Sequence, residues 1–196
     1  MIAQEFWKNF QEIFKDGTET KETALKKWYR NKDYTTFILS EIGKKLENAN
    51  LETSREYYKI DLTAWTQLKG DKYKLFKDKD FDKQFENYLW NLEVAVEHEN
   101  SSVSWMDEVV KLLHINCPLR VVIGYLPIEQ KDKHEDYLKA ITEQILTTKA
   151  VENHSLEVGE FMIIIGDSKC GGDKTKFCHY TAYVFNKDKF VFIGEI

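Results

Sequence analysis

The run LRVVIGYL, residues 119–126, constrains the fold more than any other stretch of the chain. Arg120 is its single charge, and Pro118 marks the turn into it. A nearly continuous apolar run of this length is the pattern of a strand covered on both faces. Such a strand needs a layer above and a layer below, which predicts an α/β domain. The preceding residues fit. Tyr88 to His98 reads as a strand, and Trp105, Val109, Leu112 and Leu113 form the apolar face of a helix. Ser101, Ser102 or Ser104 can cap that helix, and Asp107 and Glu108 sit in its first turn. The strand–helix–strand unit over residues 90–125 is long enough for a right-handed parallel crossover.

The remaining elements are read by the same rules. Phe6, Phe10, Ile13 and Phe14 recur at helical spacing, with Gly17 as a stop. Trp28 and Tyr29 belong to a second helix. Asp33 is placed to cap a third, with Ile38, Ile42 and Leu46 on one face and Glu41 beside it. REYYKIDLTAW, Arg55 to Trp65, alternates and is rich in β-branched and aromatic residues, so it reads as one strand. Residues 66–83 carry six lysines and four aspartates, a solvated loop or hairpin that could also contact phosphate. A helix is expected from His134 to Thr148. EFMIIIGD, HYTAYVFN and KFVFIGEI read as a closing β-meander. The chain is thus expected to be a single domain over 1–196. Residues 1–50 form a helical N-terminal part, 54–125 the core, and 126–196 a helix plus the C-terminal strands.

Composition excludes several classes. With 42% hydrophobic residues the chain can bury a core. A net charge of -5 does not advertise nucleic acid, although a local basic surface is what meets phosphate. Cys117, Cys170 and Cys178 are an odd number without framework spacing, which points to a reducing compartment. Cys170, Cys178 and His179 could ligate a metal, but no C-x-x-C pair is present. MIAQEFWKNF lacks the regions of a signal peptide, and no apolar run approaches the ~18 residues of a membrane span. A cytoplasmic protein without membrane contact is expected. No G-x-S-x-G, P-loop or G-x-G-x-x-G occurs. GDSKCGGDK, Gly166 to Lys174, lies between two strands and reads as a loop.

The chemistry concentrates on the strand LEVAVEHEN, Leu92 to Asn100. Alternation puts Leu92, Val94, Val96 and His98 on one face and Glu93, Ala95, Glu97 and Glu99 on the other. Three carboxylates along one face need water, basic partners or a cation. His98, on the apolar face, reads as a hydrogen-bonded core histidine. In the preceding strand, Tyr57, Lys59, Asp61 and Thr63 share a face. If the two polar faces match, Asp61 approaches Glu97 and Glu99, a set of hard oxygen ligands suited to Mg²⁺. Lys59 could then orient or deprotonate a water, or bind phosphate. The opposing expectation is the wet side of an antiparallel sheet, with Lys59 and Glu97 as a surface pair worth at most about 1 kcal/mol.

An acid on one strand, an acid-x-polar triplet on the next, then a helix and a buried strand, resembles the PD-(D/E)xK nuclease superfamily, the restriction endonuclease-like fold. The likeness spans roughly residues 35–125. It implies a three-layer domain with a mixed central sheet. By position Asp61 matches the first acid and Glu97-His98-Glu99 the (D/E)xK triplet. The resemblance then implies that Asp61, Glu97 and Glu99 hold Mg²⁺ or Mn²⁺, with Glu41 as an additional metal-site acid. Glu99 stands where the family has lysine, and Lys59 could supply the missing amine. A metal-dependent nuclease hydrolysing DNA phosphodiester bonds is the expectation, with a homodimer or a protein partner conceivable. The alternative is a catalytically inactive nuclease-fold binding or accessory protein in a defence or DNA-processing system.

Overall fold

The computed structural model describes residues 1–28, 31–67, 90–100, 105–127, 134–148, 159–168 and 179–196. Three helices come first: α1 (Ala3–Ile13), α2 (Glu19–Lys27) and α3 (Asn31–Asn48). Strands β1 (Glu52–Tyr57), β2 (Ile60–Gln67) and β3 (Trp90–His98) follow. Then come α4 (Trp105–Leu113), β4 (Leu119–Pro127), α5 (His134–Thr147), β5 (Glu160–Ser168), β6 (Tyr180–Asn186) and β7 (Lys189–Glu195). The seven strands form one mixed sheet whose spatial order is the chain order. β1–β2–β3 are antiparallel, β3–β4–β5 parallel, and β5–β6–β7 antiparallel, the expected meander.

β4 is the middle strand, and every residue from Leu119 to Leu126 is buried. The two parallel steps advance in the same direction, so crossovers of one hand put both their helices on one face. The cores agree. Trp105, Val109, Leu112 and Leu113 of α4 and Leu138, Ile141 and Ile145 of α5 pack with Ala95, Val122, Phe161 and Ile163. The opposite face, lined by Leu62, Val94, Val96, Val121 and Ile123, is covered by Phe6, Phe10 and Ile13 of α1 and Ile38, Leu39 and Ile42 of α3. Each face of the sheet is therefore capped by helices, as a strand like β4 requires.

Three local expectations are corrected. Residues 55–65 are not one strand. The chain reverses at Tyr58–Lys59, and Tyr57 pairs with Ile60 across a two-residue turn. Both turn residues have positive φ, 52° and 61°. That is the hand which matches strand twist, but it costs a bulky L-residue about 1–2 kcal/mol. The alternation in β3 is also broken. Pairing steps from Ala64↔Val94 to Trp65↔Leu92, so Glu93 is a bulge residue and Leu92 packs on the α4 side instead of with Val94 and Val96. Finally, α3 begins at Asn31, which puts Asp33 in its first turn instead of at the cap. The serines expected to cap α4, the lysine-rich stretch beyond Gln67, and Cys170 and Cys178 lie outside the described residues.

Gly124 of β4 permits a close approach of the Trp105 ring to the sheet, because a Cβ there would stand 2.7 Å from Trp105 Cδ2. Gly124→Ala should lower stability by about 1–3 kcal/mol through overpacking. Urea denaturation checks this, and an unchanged midpoint would contradict the packing described.

Candidate functional site

The pairing of β2 with β3 decides where the acids go. Leu62 lies opposite Val96, and one further step along that antiparallel register sets Asp61 beside Glu97. Directly opposed residues have Cβ atoms about 4.5–5.5 Å apart. Leu62 and Val96 face the α1–α3 core, whereas Glu97 points under α4, and its side chain is only 2% exposed. The wet-face expectation therefore fails at Glu97.

The counter-ion comes from α4, not from the turn. Lys111 Nζ donates to Glu97 Oε1 at 2.9 Å and also pairs with Glu108, one helical turn earlier. The same ammonium donates to the backbone oxygen of Lys59 at 3.3 Å. Lys59 itself is exposed in the turn and does not share a strand face with Asp61. Lys111 and Glu108 flank the apolar stripe of α4 formed by Trp105, Val109, Leu112 and Leu113. Reading Glu108 as a first-turn acid explains its helix propensity but hides its partner. The signal that could have found both residues is their i,i+3 spacing on a crossover helix that must pass over β3.

Asp61 is fixed from the other side. Its Oδ2 accepts the backbone N–H of His98 at 2.8 Å. The His98 ring points into the opposite core, as expected of a hydrogen-bonded core histidine. Its Nδ1 lies 3.1 Å from Thr35 Oγ1 and its Nε2 2.9 Å from Tyr125 Oη. Tyr125 Oη continues to Tyr180 Oη at 3.0 Å, and Tyr180 to Tyr34. Burial pushes the imidazole down to about 3, so it is neutral, with one nitrogen donating and one accepting. The end of β3 is thus held through His98 on one face while Glu97 and Asp61 meet on the other.

Charge crowding shows in the acids. Desolvation raises Glu97 to about 8; the Lys111 hydrogen bond opposes this, and the charges of Asp61 and Glu108 add to it. Asp61 is also raised, first by burial and then by Glu56 and Glu108, against the lowering by the His98 N–H and Lys111. Lys111 is raised, because Glu108 and Glu97 together outweigh its own desolvation. At neutral pH its ammonium is a hydrogen-bond donor and a positive charge, not a base.

The other expected site residues lie at this cluster's margins or away from it. Glu99 follows β3, half-buried, with its backbone N–H on Ile123 O. Glu93, at the bulge, accepts from Thr66 Oγ1 at 3.1 Å. Glu41 belongs to α3, the helix covering the opposite face, and pairs with Lys44 on its own helix. Among the described residues no three of His, Cys, Asp and Glu come together in one group. Two carboxylates remain, Asp61 and Glu97. That donor set fits an octahedral Mg²⁺ or Mn²⁺ which takes its other positions from water and phosphate. No described helix is long and apolar enough to cross a membrane. No family model matches this sequence, and no curated protein matches it significantly.

The raised Glu97 makes stability depend on pH. In the folded chain Glu97 keeps its proton up to about pH 8, while the unfolded chain releases it near the ordinary glutamate value of 4.5. The native state therefore loses stability as pH rises between those values. Glu97→Gln, which does not titrate, should gain on the wild type from about pH 4.5 to pH 8 and hold a constant difference above. Thermal unfolding across that range checks it, and a difference independent of pH would contradict the burial of Glu97.

Proposed function

We propose that this protein is a metal-dependent nuclease that hydrolyses DNA phosphodiester bonds. The observation that carries the reading is the juxtaposition of Asp61 with the buried Glu97, beneath a lysine supplied by the crossover helix. Asp61 and Glu97 are the residues that would hold the ion, with Glu99 following the same strand end. When bound, a divalent ion supplies a nucleophilic water and charge stabilisation at the phosphate. The protein's own part is orientation. The His98 N–H fixes Asp61, and Lys111 fixes Glu97. The Lys111 Nζ, positively charged at neutral pH, could orient a water or donate to a phosphate oxygen. Lys111 thus takes the role the sequence reading gave to Lys59, and stands in for the lysine missing at Glu99.

A second reading is an inactive nuclease-fold protein that binds DNA or a protein partner, or pairs as a homodimer, in a defence or DNA-processing system. Its support is the hydrogen bond from Lys111 to Glu97, which satisfies the buried carboxyl group without a metal.

Mn²⁺ titration by calorimetry separates the two. The nuclease reading expects binding in the wild type, its loss in Asp61→Ala and Glu97→Ala, and affinity that rises with pH as Glu97 gives up its proton. Lys111→Met should keep metal binding while slowing plasmid cleavage about 100-fold or more. Metal binding without cleavage, or neither with plasmid and duplex present, would select the second reading.

A further inference from the structure

We infer that the β1–β2 turn is a base-stacking finger that directs the site to unpaired, single-stranded DNA, with Tyr58 as the residue that selects it. The inference rests on the nuclease reading and adds the form of its substrate. Tyr58 is 78% exposed, the most of any large hydrophobic side chain among the described residues. Its ring stands edge-on to Tyr57, with centroids 4.5 Å apart, and the Tyr57 ring lies 6.1 Å from that of Trp65. The aromatic row runs outward from the sheet and ends in solvent.

Folding does not explain this choice. A two-residue turn with both φ values positive is served best by Asn-Gly. Here the two positions hold Tyr and Lys, and Glu56 just before them also has a positive φ of 56°. Three strained non-glycine residues within four positions stand next to the acid pair, and backbone strain of this kind collects at functional sites. The turn is physically tied to the site, because the ammonium that holds Glu97 also holds the Lys59 carbonyl. The Lys111 ammonium stands between the turn backbone and Glu97, and Lys59 adds an exposed positive residue to the turn itself, both suited to a phosphate joining a stacked nucleotide to its neighbour. In a duplex each base is already stacked and paired within the helix. Only an unpaired base offers its face to Tyr58, and base–aromatic stacking of that kind is indifferent to sequence.

The test is equilibrium binding, without divalent ions, of a labelled oligothymidine strand and of a mixed-sequence duplex of equal length. Wild type, Tyr58→Asn and Tyr58→Trp are compared by fluorescence anisotropy. Asparagine tolerates the left-handed conformation, so Tyr58→Asn should unfold at an equal or higher temperature than the wild type. Its affinity for the single strand should fall about tenfold, with duplex affinity changed much less. Tyr58→Trp should keep the single-strand affinity and show tryptophan quenching as the strand is added. Unchanged single-strand affinity in Tyr58→Asn, or an equal loss for strand and duplex, would overturn this inference and leave the nuclease reading standing. A wild type that binds neither nucleic acid would overturn this inference, and the nuclease reading would then stand or fall on Mn²⁺ binding and plasmid cleavage. Binding of neither, with an effect of Tyr58→Asn confined to self-association, would assign the turn to a protein contact instead.

Discussion

A carboxylate is expensive to take out of water, and Glu97 is almost wholly out of water. The arrangement around the end of β3 follows from that burden. The cost is met by one ammonium, Lys111, which comes from the helix crossing above. Glu108 helps keep that ammonium charged, and the Lys59 carbonyl takes another of its hydrogens. Three segments are joined at one nitrogen: the hairpin turn, the end of β3 and the last turn of α4. An arrangement with two acids and one lysine is tense electrostatically, since both acids are raised above their ordinary values. A divalent cation, with twice the charge and a preference for oxygen, would relieve it.

The same strand is gripped from its other face. His98 anchors β3 to α3 through Thr35 and to β4 and β6 through Tyr125 and Tyr180. Its backbone N–H, displaced by neither contact, is left to Asp61. A single residue therefore separates a rigid, neutral hydrogen-bond chain from a crowded, charged cluster. Rigidity on one face is what allows opposed carboxylates to be held in register on the other.

Much of this was legible in the sequence. The doubly buried β4, the parallel crossover before it, the helical N-terminus and the closing meander follow from patterns of apolar residues, and long periodic patterns survive tertiary context. The facing of Asp61 and Glu97 was also legible, because two half-buried strands have few ways to match their faces. Lys59 and Lys111 show what was not. The stretch from Arg55 to Trp65 alternates well enough to pass for one strand, because Tyr58–Lys59 lacks the glycine or asparagine that ordinarily marks such a turn. Once the chain reverses there, Lys59 leaves the face of Asp61. Lys111 was hidden because its partner lies across the sheet-to-helix gap, a distance that no local pattern encodes. Glu93 was misplaced by a bulge, whose extra residue shifts the alternation without leaving a composition signal.

The central claim is that Glu97 is a buried carboxyl group beside Asp61, kept protonated by desolvation and hydrogen-bonded by Lys111; the proposed divalent cation would displace that proton. The most direct measurement is the titration of the Glu97 side-chain carboxyl carbon by NMR, with and without millimolar Mg²⁺. The account predicts a midpoint near 8 without the ion and a clear displacement to lower pH with it, both absent from Glu97→Gln. An ordinary carboxylate midpoint that Mg²⁺ leaves unmoved would contradict it.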